Sequence, residues 1–242
     1  MRIWDLDPGY LNRQSLLGEH RELHGIVSIF VNGKKGYLNH PETQRWIGYG
    51  WALQQRHRLL SAEMSLRGYE DKTPVTLEKN KGRWPETYID HPGTQFQLLK
   101  KKYIGKEFGR IPLPSNPQEL WSQHKYSILA RNEALYRSLG REVSKTNHQN
   151  DLSNLAQLLT EQLKIKPSDG GMHNALQHMW GYVSRFKPNG YCNNESLDLC
   201  QLLDMIQDLS KKHLVGYLLS STALAEFRAW MPRVAAISDR PH

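Results

Sequence analysis

Two groups near the start of the chain could act together in covalent catalysis: the α-amine of Met1 and the carboxylate of Glu22. A primary amine can attack an electrophilic carbon, such as C1′ of a sugar, and form an imine. An α-amine ordinarily has a pKa of about 7.7–8.0, well below that of lysine, so more of it is neutral and nucleophilic. Because Arg2 is too large a second residue for methionine aminopeptidase, we expect Met1 to be retained.

Two glycines flank this carboxylate on the same helical face. Gly18 stands four residues before Glu22 and Gly25 stands three residues after it. At about 100° per residue, all three share one side of a helix. Each interior glycine costs about 1 kcal/mol relative to alanine. The spacing therefore predicts a face kept clear for a ligand, although an accidental surface glycine is the alternative.

A metal site is the rival interpretation of the same stretch. His20 and His24 are four residues apart, as in the zinc-protease helix, but there the glutamate directly follows the first histidine. Glu22 instead follows His20 by two residues, about 200° round the helix, and could not act on a metal-bound water from the same side. We therefore expect no metal and no cofactor.

The composition favours a polyanionic partner. The 242-residue chain has 32 Lys and Arg against 24 Asp and Glu, and a pI of about 9.4. The excess is concentrated in residues 1–114, which hold 18 basic and 12 acidic residues. A mild excess that only maintains solubility is the alternative. The two cysteines are too few for a disulfide scaffold. With no apolar run of membrane-spanning length, we expect a cytoplasmic protein without a membrane partner.

The elements that position these residues are predicted to be helices. Asn12 can cap a helix that runs to about Val31 and ends at Asn32-Gly33, with apolar residues at helical spacing. A second helix is expected from Trp51 to Arg67, before Gly68, and a third from Gln95 to Tyr103. We expect irregular connections elsewhere, including residues 36–46.

The second half of the sequence is predicted to be helical throughout. Residues 111–117 (IPLPSNP) are the best linker, and Asn116, Pro117 and Glu119 form a helix-start signal. Helices are expected at 117–138, 151–165, 169–186, 195–211 and 213–230. We thus predict an all-α protein of two helical domains, residues 1–114 and 115–242.

A cluster at the end of the third helix could contact DNA. Lys100, Lys101 and Lys102 precede Tyr103, and three lysines beside an aromatic ring suit phosphate contact and base stacking. A solvated helix end whose lysines interact with the helix dipole is the alternative.

The first half resembles the pyrimidine-dimer DNA glycosylase/AP lyases of the phage endonuclease V type. Residues 1 to about 110 carry the resemblance in four stretches: Arg2-Ile3, Gln14 with Glu19-His20-Arg21-Glu22-Leu23, Val31-Asn32-Gly33-Lys34, and Arg56, Glu63 and Arg67-Gly68. The segment Lys102 to Lys106 is similar to the aromatic-basic tail of the phage enzyme. The opening Met-Arg-Ile-Trp and the Gly36-Tyr37 to His40-Pro41 stretch are closer to bacterial relatives.

The resemblance implies a role for each matched position. The Met1 amine takes the place of the family's nucleophilic amine, and Glu22 falls on the catalytic glutamate, which assists proton transfer in imine formation and β-elimination. Arg2, Gln14 and Arg21 fall on positions that contact DNA and the lesion. The family's arginine three residues past the glutamate is replaced by Gly25. One contact to a phosphate or to the lesion is therefore missing, and the resemblance does not determine which lesion is recognised. The implied partner is double-stranded DNA with damaged bases, which would be distorted and opened at the lesion.

The second half resembles the YbgA-like family of unknown function. The resemblance covers about residues 118–232 and rests on three motifs: His124-Lys125-Tyr126, Tyr136 with Leu139-Gly140, and His173-Asn174 with His178 and Gly181-Tyr182. His173 and His178 are five residues apart, which is poor spacing for one metal, so we expect them to be packed between helices.

From the sequence we therefore expect a DNA glycosylase with AP lyase activity that excises damaged bases, most simply pyrimidine dimers. Two alternatives remain. One is a nucleic-acid-binding or adaptor protein without catalysis. The other is an enzyme that acts on modified nucleobases through the second half, with His173 as its key residue. The oligomeric state is left open.

Overall fold

A computed structural model describes residues 1–145, 151–187 and 197–232, and these residues form helices joined by loops, with no strand among them. The all-α prediction is therefore confirmed. The helices are α1 (Arg13–Asn32), α2 (Pro41–Trp46), α3 (Gly50–Leu66), α4 (Pro92–Lys102), α5 (Pro117–Leu129), α6 (Glu133–Val143), α7 (Asp151–Leu163), α8 (Asp169–Val183), α9 (Leu199–Lys212), α10 (Gly216–Leu219) and α11 (Ala223–Trp230). Short 3-10 turns occupy Pro8–Tyr10 and Ser184–Phe186.

Local capping sets the ends of several helices where the sequence predicted them. The Asn12 Oδ1 accepts a hydrogen bond of 2.9 Å from the Ser15 amide at the start of α1. Gly33 ends this helix in the left-handed conformation with φ of 60°. Asn116 caps α5 in the same way as Asn12, through the Glu119 amide.

Other boundaries differ from the prediction. The helix expected over 117–138 is two helices, because the Asn132 side chain caps a new helix through the Leu135 amide at 2.9 Å. The helix expected over 213–230 is likewise split into α10 and α11. A short helix, α2, lies within the connection expected to be irregular, starting at Pro41. The first two residues of the helix predicted from 195 lie outside the described residues.

The two halves of the chain pack directly on each other. Helix α4 of the first half packs on α7 of the second, and α3 packs on α11. A hydrophobic cluster extends from Ile3 in the first half to Leu159 in the second. The domain boundary near residue 114 stays a prediction. None of the described helices is both long and apolar enough to cross a bilayer.

Charged side chains also join the halves. Arg110 pairs with Glu63 through its Nε at 2.9 Å and donates to the backbone carbonyls of Leu219 and Ser221. Although burial alone would raise the pKa of Glu63, Arg110 and Arg67 hold it below its usual range. Arg110 therefore links its loop to α3 in the first half and to the end of α10 and the segment before α11 in the second.

His124 lies in this contact, and we expect it to make stability depend on pH. It is buried, its Nδ1 lies 2.9 Å from the Leu120 carbonyl, and the Tyr10 hydroxyl lies 3.3 Å away. Burial lowers its pKa from 6.5 to about 4. Between these values the unfolded chain binds a proton that the folded chain does not, so stability falls as pH decreases through this range. The lowered pKa corresponds to a loss of about 3 kcal/mol.

His124→Gln is expected to remove this loss. We would measure the free energy of unfolding in urea at several pH values. As the pH falls, this free energy should decrease less for the variant than for the native chain. The exposed His173, replaced by Gln, is the matched control and should leave the pH dependence unchanged. Parallel pH profiles of the native chain and His124→Gln would contradict this assignment.

Candidate functional site

The segment before α1 is fixed across that helix by a buried ion pair. Arg56 of α3 donates to both carboxylate oxygens of Glu19, at 2.7 and 2.9 Å. The same arginine donates to the Leu6 carbonyl at 2.8 Å, and the Trp4 amide donates to Glu19 at 3.3 Å. Burial raises the pKa of Glu19 to about 7, against the opposing effect of Arg56. The pair therefore fixes residues 4–6 against α1.

This anchoring brings the start of the chain to Glu22. The backbone amide of Arg2 donates a hydrogen bond to the Glu22 Oε2. Since only one Cα and one carbonyl carbon separate successive backbone nitrogens, the Met1 amine lies within about 4 Å of the Arg2 amide. The Met1 amine, the predicted nucleophile, is thus one residue along the chain from the amide that contacts Glu22, the predicted acid/base.

Glu22 lines an open cleft of about 700 Å³ beside α1, which we call the α1 cleft. Five basic side chains line it: Arg2, Arg13, Arg21, Lys102 and Lys106. Gln14 and Gly18 also face it, and no atom lies within 4 Å of where a Gly18 Cβ would stand. The surroundings of the carboxylate are therefore basic and sterically open.

A second cleft of about 590 Å³, the Met1 cleft, is lined by Met1 and by Gly25. A Cβ added at Gly25 would lie 3.9 Å from the Met1 Sδ, so the methionine packs over this glycine. Lys34, Lys35 and the exposed Tyr37 line the same cleft. Met1 thus lines the Met1 cleft, whereas Arg2 lines the α1 cleft.

The side chain of Arg2 is already engaged. Its guanidinium pairs with Asp90 at 2.6 Å and lies over the Trp4 ring, 4.4 Å from the centroid. Lys102 also faces this ring, at 5.9 Å. Trp4 therefore provides an aromatic platform between two cations at the edge of the α1 cleft.

Comparisons with known proteins follow the same division of the chain. Residues 1–77 match the family described as pyrimidine dimer DNA glycosylase. Residues 125–227 match a family described as a protein of unknown function, DUF1722, which is the YbgA-like family. Both resemblances stated from the sequence are therefore confirmed. Neither a curated protein nor a solved structure gives a match.

The structure brings together most of the residues that the sequence singled out. Arg2, Gln14, Arg21, Glu22 and Lys102 line the α1 cleft, and Met1 adjoins it. Lys101 is exposed and Lys100 is half-buried, and neither lines this cleft. Their proposed DNA contacts stay predictions.

The expectation for Tyr103 is wrong. This side chain is 2% exposed, and its hydroxyl accepts a hydrogen bond of 2.9 Å from the Asn12 amide. A ring held in the core cannot stack on a base. Its role is to support the start of α1, because the Asn12 amide precedes the first helical turn and has no partner within the helix.

His173 and His178 also differ from expectation, because both are exposed and not packed between helices. Sequence reasoning also named none of the following as site residues: Arg13 and Lys106, which line the α1 cleft, and Lys34, Lys35 and Tyr37, which line the Met1 cleft. Their basic and aromatic character was visible in the sequence, but nothing local placed them beside Met1 and Glu22.

Proposed function

We propose that this protein is a DNA glycosylase with AP lyase activity, in which the α-amine of Met1 is the nucleophile and Glu22 the acid/base. The observation that carries the proposal is the hydrogen bond from the Arg2 amide to Glu22, beside a basic cleft. The match of residues 1–77 to the pyrimidine dimer DNA glycosylase family supports the substrate class.

In the proposed reaction the Met1 nitrogen forms a bond to C1′ as the bond between C1′ and the damaged base breaks. The base leaves with that electron pair and gains a proton. Opening of the sugar ring then gives the imine. Glu22 accepts and returns protons in these steps.

Strand cleavage follows from the imine, which acts as the electron sink. A C2′ proton is lost, and the 3′ phosphate departs with the electrons of its bond to C3′. This β-elimination needs no cofactor. Pyrimidine dimers are the proposed lesions, and double-stranded DNA that contains them is the proposed partner.

The two clefts suit a distorted duplex. Five cations of the α1 cleft face the region where phosphates would pass, and Tyr37 with Lys34 and Lys35 offers stacking and charge at the Met1 cleft. We propose that the backbone lies along the α1 cleft, while an expelled nucleotide enters the Met1 cleft. Gly25 stands where the resemblance implies an arginine, and the Met1 side chain packs over it.

The test is borohydride trapping on abasic and ultraviolet-irradiated duplex DNA, with the native chain and a chain extended by two residues before Met1. We expect a covalent adduct from the native chain and none from the extended one, because the extension moves the α-amine away from the Glu22 carboxylate. Circular dichroism checks that both fold alike.

Two outcomes would contradict the proposal. Equal trapping of the two proteins would make a lysine the nucleophile. Absence of trapping by both, with DNA binding retained, would leave a binding module without catalysis.

A further inference from the structure

Four potential metal ligands meet on the side of α1 that faces away from Glu22. His20 and His24 lie on α1, His57 on α3, and Asp71 in the segment that follows α3. One ligand atom from each residue lies within 4.8 Å of the others. Residues remote in sequence thus converge on one point.

Three of the distances between these side chains are close to the separation of ligands around one metal ion. Zinc bonds to imidazole nitrogen and carboxylate oxygen are about 2.0–2.2 Å, so tetrahedral ligands stand about 3.3 Å apart. The His20 and His24 Nε2 atoms are 3.3 Å apart, and so are the His20 Nε2 and Asp71 Oδ1. The His57 Nε2 lies 3.3 Å from the other Asp71 oxygen, Oδ2, so His20 and His57 face different oxygens of this carboxylate. Charge-assisted hydrogen bonds are usually shorter, about 2.7–2.9 Å.

The carboxylate is held in place by its own partners. The Ser61 hydroxyl donates to the Asp71 Oδ2 at 2.8 Å, and the Thr73 amide donates to the Oδ1 at 3.1 Å. Hydrogen bonds of this kind orient ligating carboxylates in metal sites. Both oxygens therefore have a donor from the protein and a facing imidazole.

Three of the four ligand side chains are mostly buried. The His57 side chain is 1% exposed, and those of His20 and Asp71 are 16% and 14% exposed. The three rings pack with centroids 4.6 to 5.1 Å apart.

We propose that His20, His24, His57 and Asp71 bind one divalent transition-metal ion, with zinc the best match to three imidazoles and a carboxylate. Four protein ligands complete a tetrahedral site, so the ion is structural. It fastens α1 to α3 and to the segment around Asp71. His20 and His24 each lie about 160° from Glu22 round the helix, so the ion takes no part at the α1 cleft.

This site revises the expectation of no metal. The sequence argues against a metal at the two histidines of α1, because Glu22 does not share their side of the helix. The structure supplies the remaining ligands from elsewhere, and Glu22 is not needed. The proposal is independent of the proposed glycosylase activity.

The test uses the full chain, stripped of metal with a chelator and titrated with Zn²⁺ by calorimetry and with Co²⁺ by visible absorption. We expect one ion per chain, a Co²⁺ spectrum of tetrahedral type, and a rise in Tm on adding Zn²⁺. His24→Gln and Asp71→Asn should abolish the spectrum and the rise in Tm. His173→Gln, at an exposed histidine, is the matched control and should behave as the native chain.

A further variant keeps the proposal testable if a ligand replacement does not fold. Ser61→Ala leaves all four ligands but removes one hydrogen bond to Asp71, and it should weaken Zn²⁺ binding by about 10–100-fold. Binding unchanged in folded His24→Gln and Asp71→Asn, or no tetrahedral Co²⁺ spectrum from the native chain, would overturn the site. In that case the cluster is a hydrogen-bonded network.

Discussion

Replacement of Glu22 by Gln is expected to lower the rate of strand cleavage at an abasic site by about 10²–10⁴-fold, the usual contribution of a positioned acid/base. Gln keeps the size of the side chain and can still accept the hydrogen bond from the Arg2 amide, so the site should keep its shape. What it loses is the ability to take up and return a proton. Single-turnover cleavage of an abasic duplex measures the effect.

The matched control is Glu107→Gln, because Glu107 lines the same cleft and is exposed. It removes the same charge from the same basic surroundings, so it should cleave at nearly the native rate. DNA affinity of Glu22→Gln should be equal to or greater than that of the native chain. Native cleavage rates in Glu22→Gln would refute the assigned role, whatever the trapping experiment gives.

Replacement of Arg56 by Met should cost about 3–5 kcal/mol of unfolding free energy, the range found when one partner of a buried ion pair is removed. Glu19 would be left buried, and among the residues that the structure describes the Trp4 amide would be its remaining donor. The Leu6 carbonyl would lose its donor as well. Urea unfolding measures the change.

The cost should be smaller at acidic pH than at alkaline pH. Burial already raises the pKa of Glu19 to about 7, and loss of Arg56 raises it further, so protonation removes the unpaired charge. Arg137→Met is the matched control, because this arginine pairs with Glu133 on the surface and such pairs contribute about 0–1 kcal/mol. A similar small change in Arg56→Met would show that the buried pair does not hold the N-terminal segment.

The two predictions are linked through α1. Glu19 and Glu22 lie three residues apart on this helix, so the residue that anchors the chain start is close to the residue that would act on it. Arg56→Met should therefore also reduce trapping under conditions where the variant is still folded. Glu22→Gln, in contrast, should leave the unfolding free energy nearly unchanged.

The sequence by itself determined the local features of this protein. Asn12 and Gly33 set the ends of α1, and the periodicity within it placed Glu22, Gly18 and Gly25 on one face. These features depend on hydrogen bonds and side-chain positions within about one helical turn, which a short stretch of sequence specifies. The match of Arg2 and Glu22 to one family then made them candidates for one site.

Tertiary structure decided what lies far apart in the chain. It placed Tyr103 under the start of α1, divided the helix expected over 117–138, and brought His57 and Asp71 to His20 and His24. Each outcome depends on which faces of distant helices are buried together. A residue type has no single role in such contacts: the same tyrosine suits a base or a backbone amide, and the same histidine suits a surface or a metal, until packing fixes its neighbours.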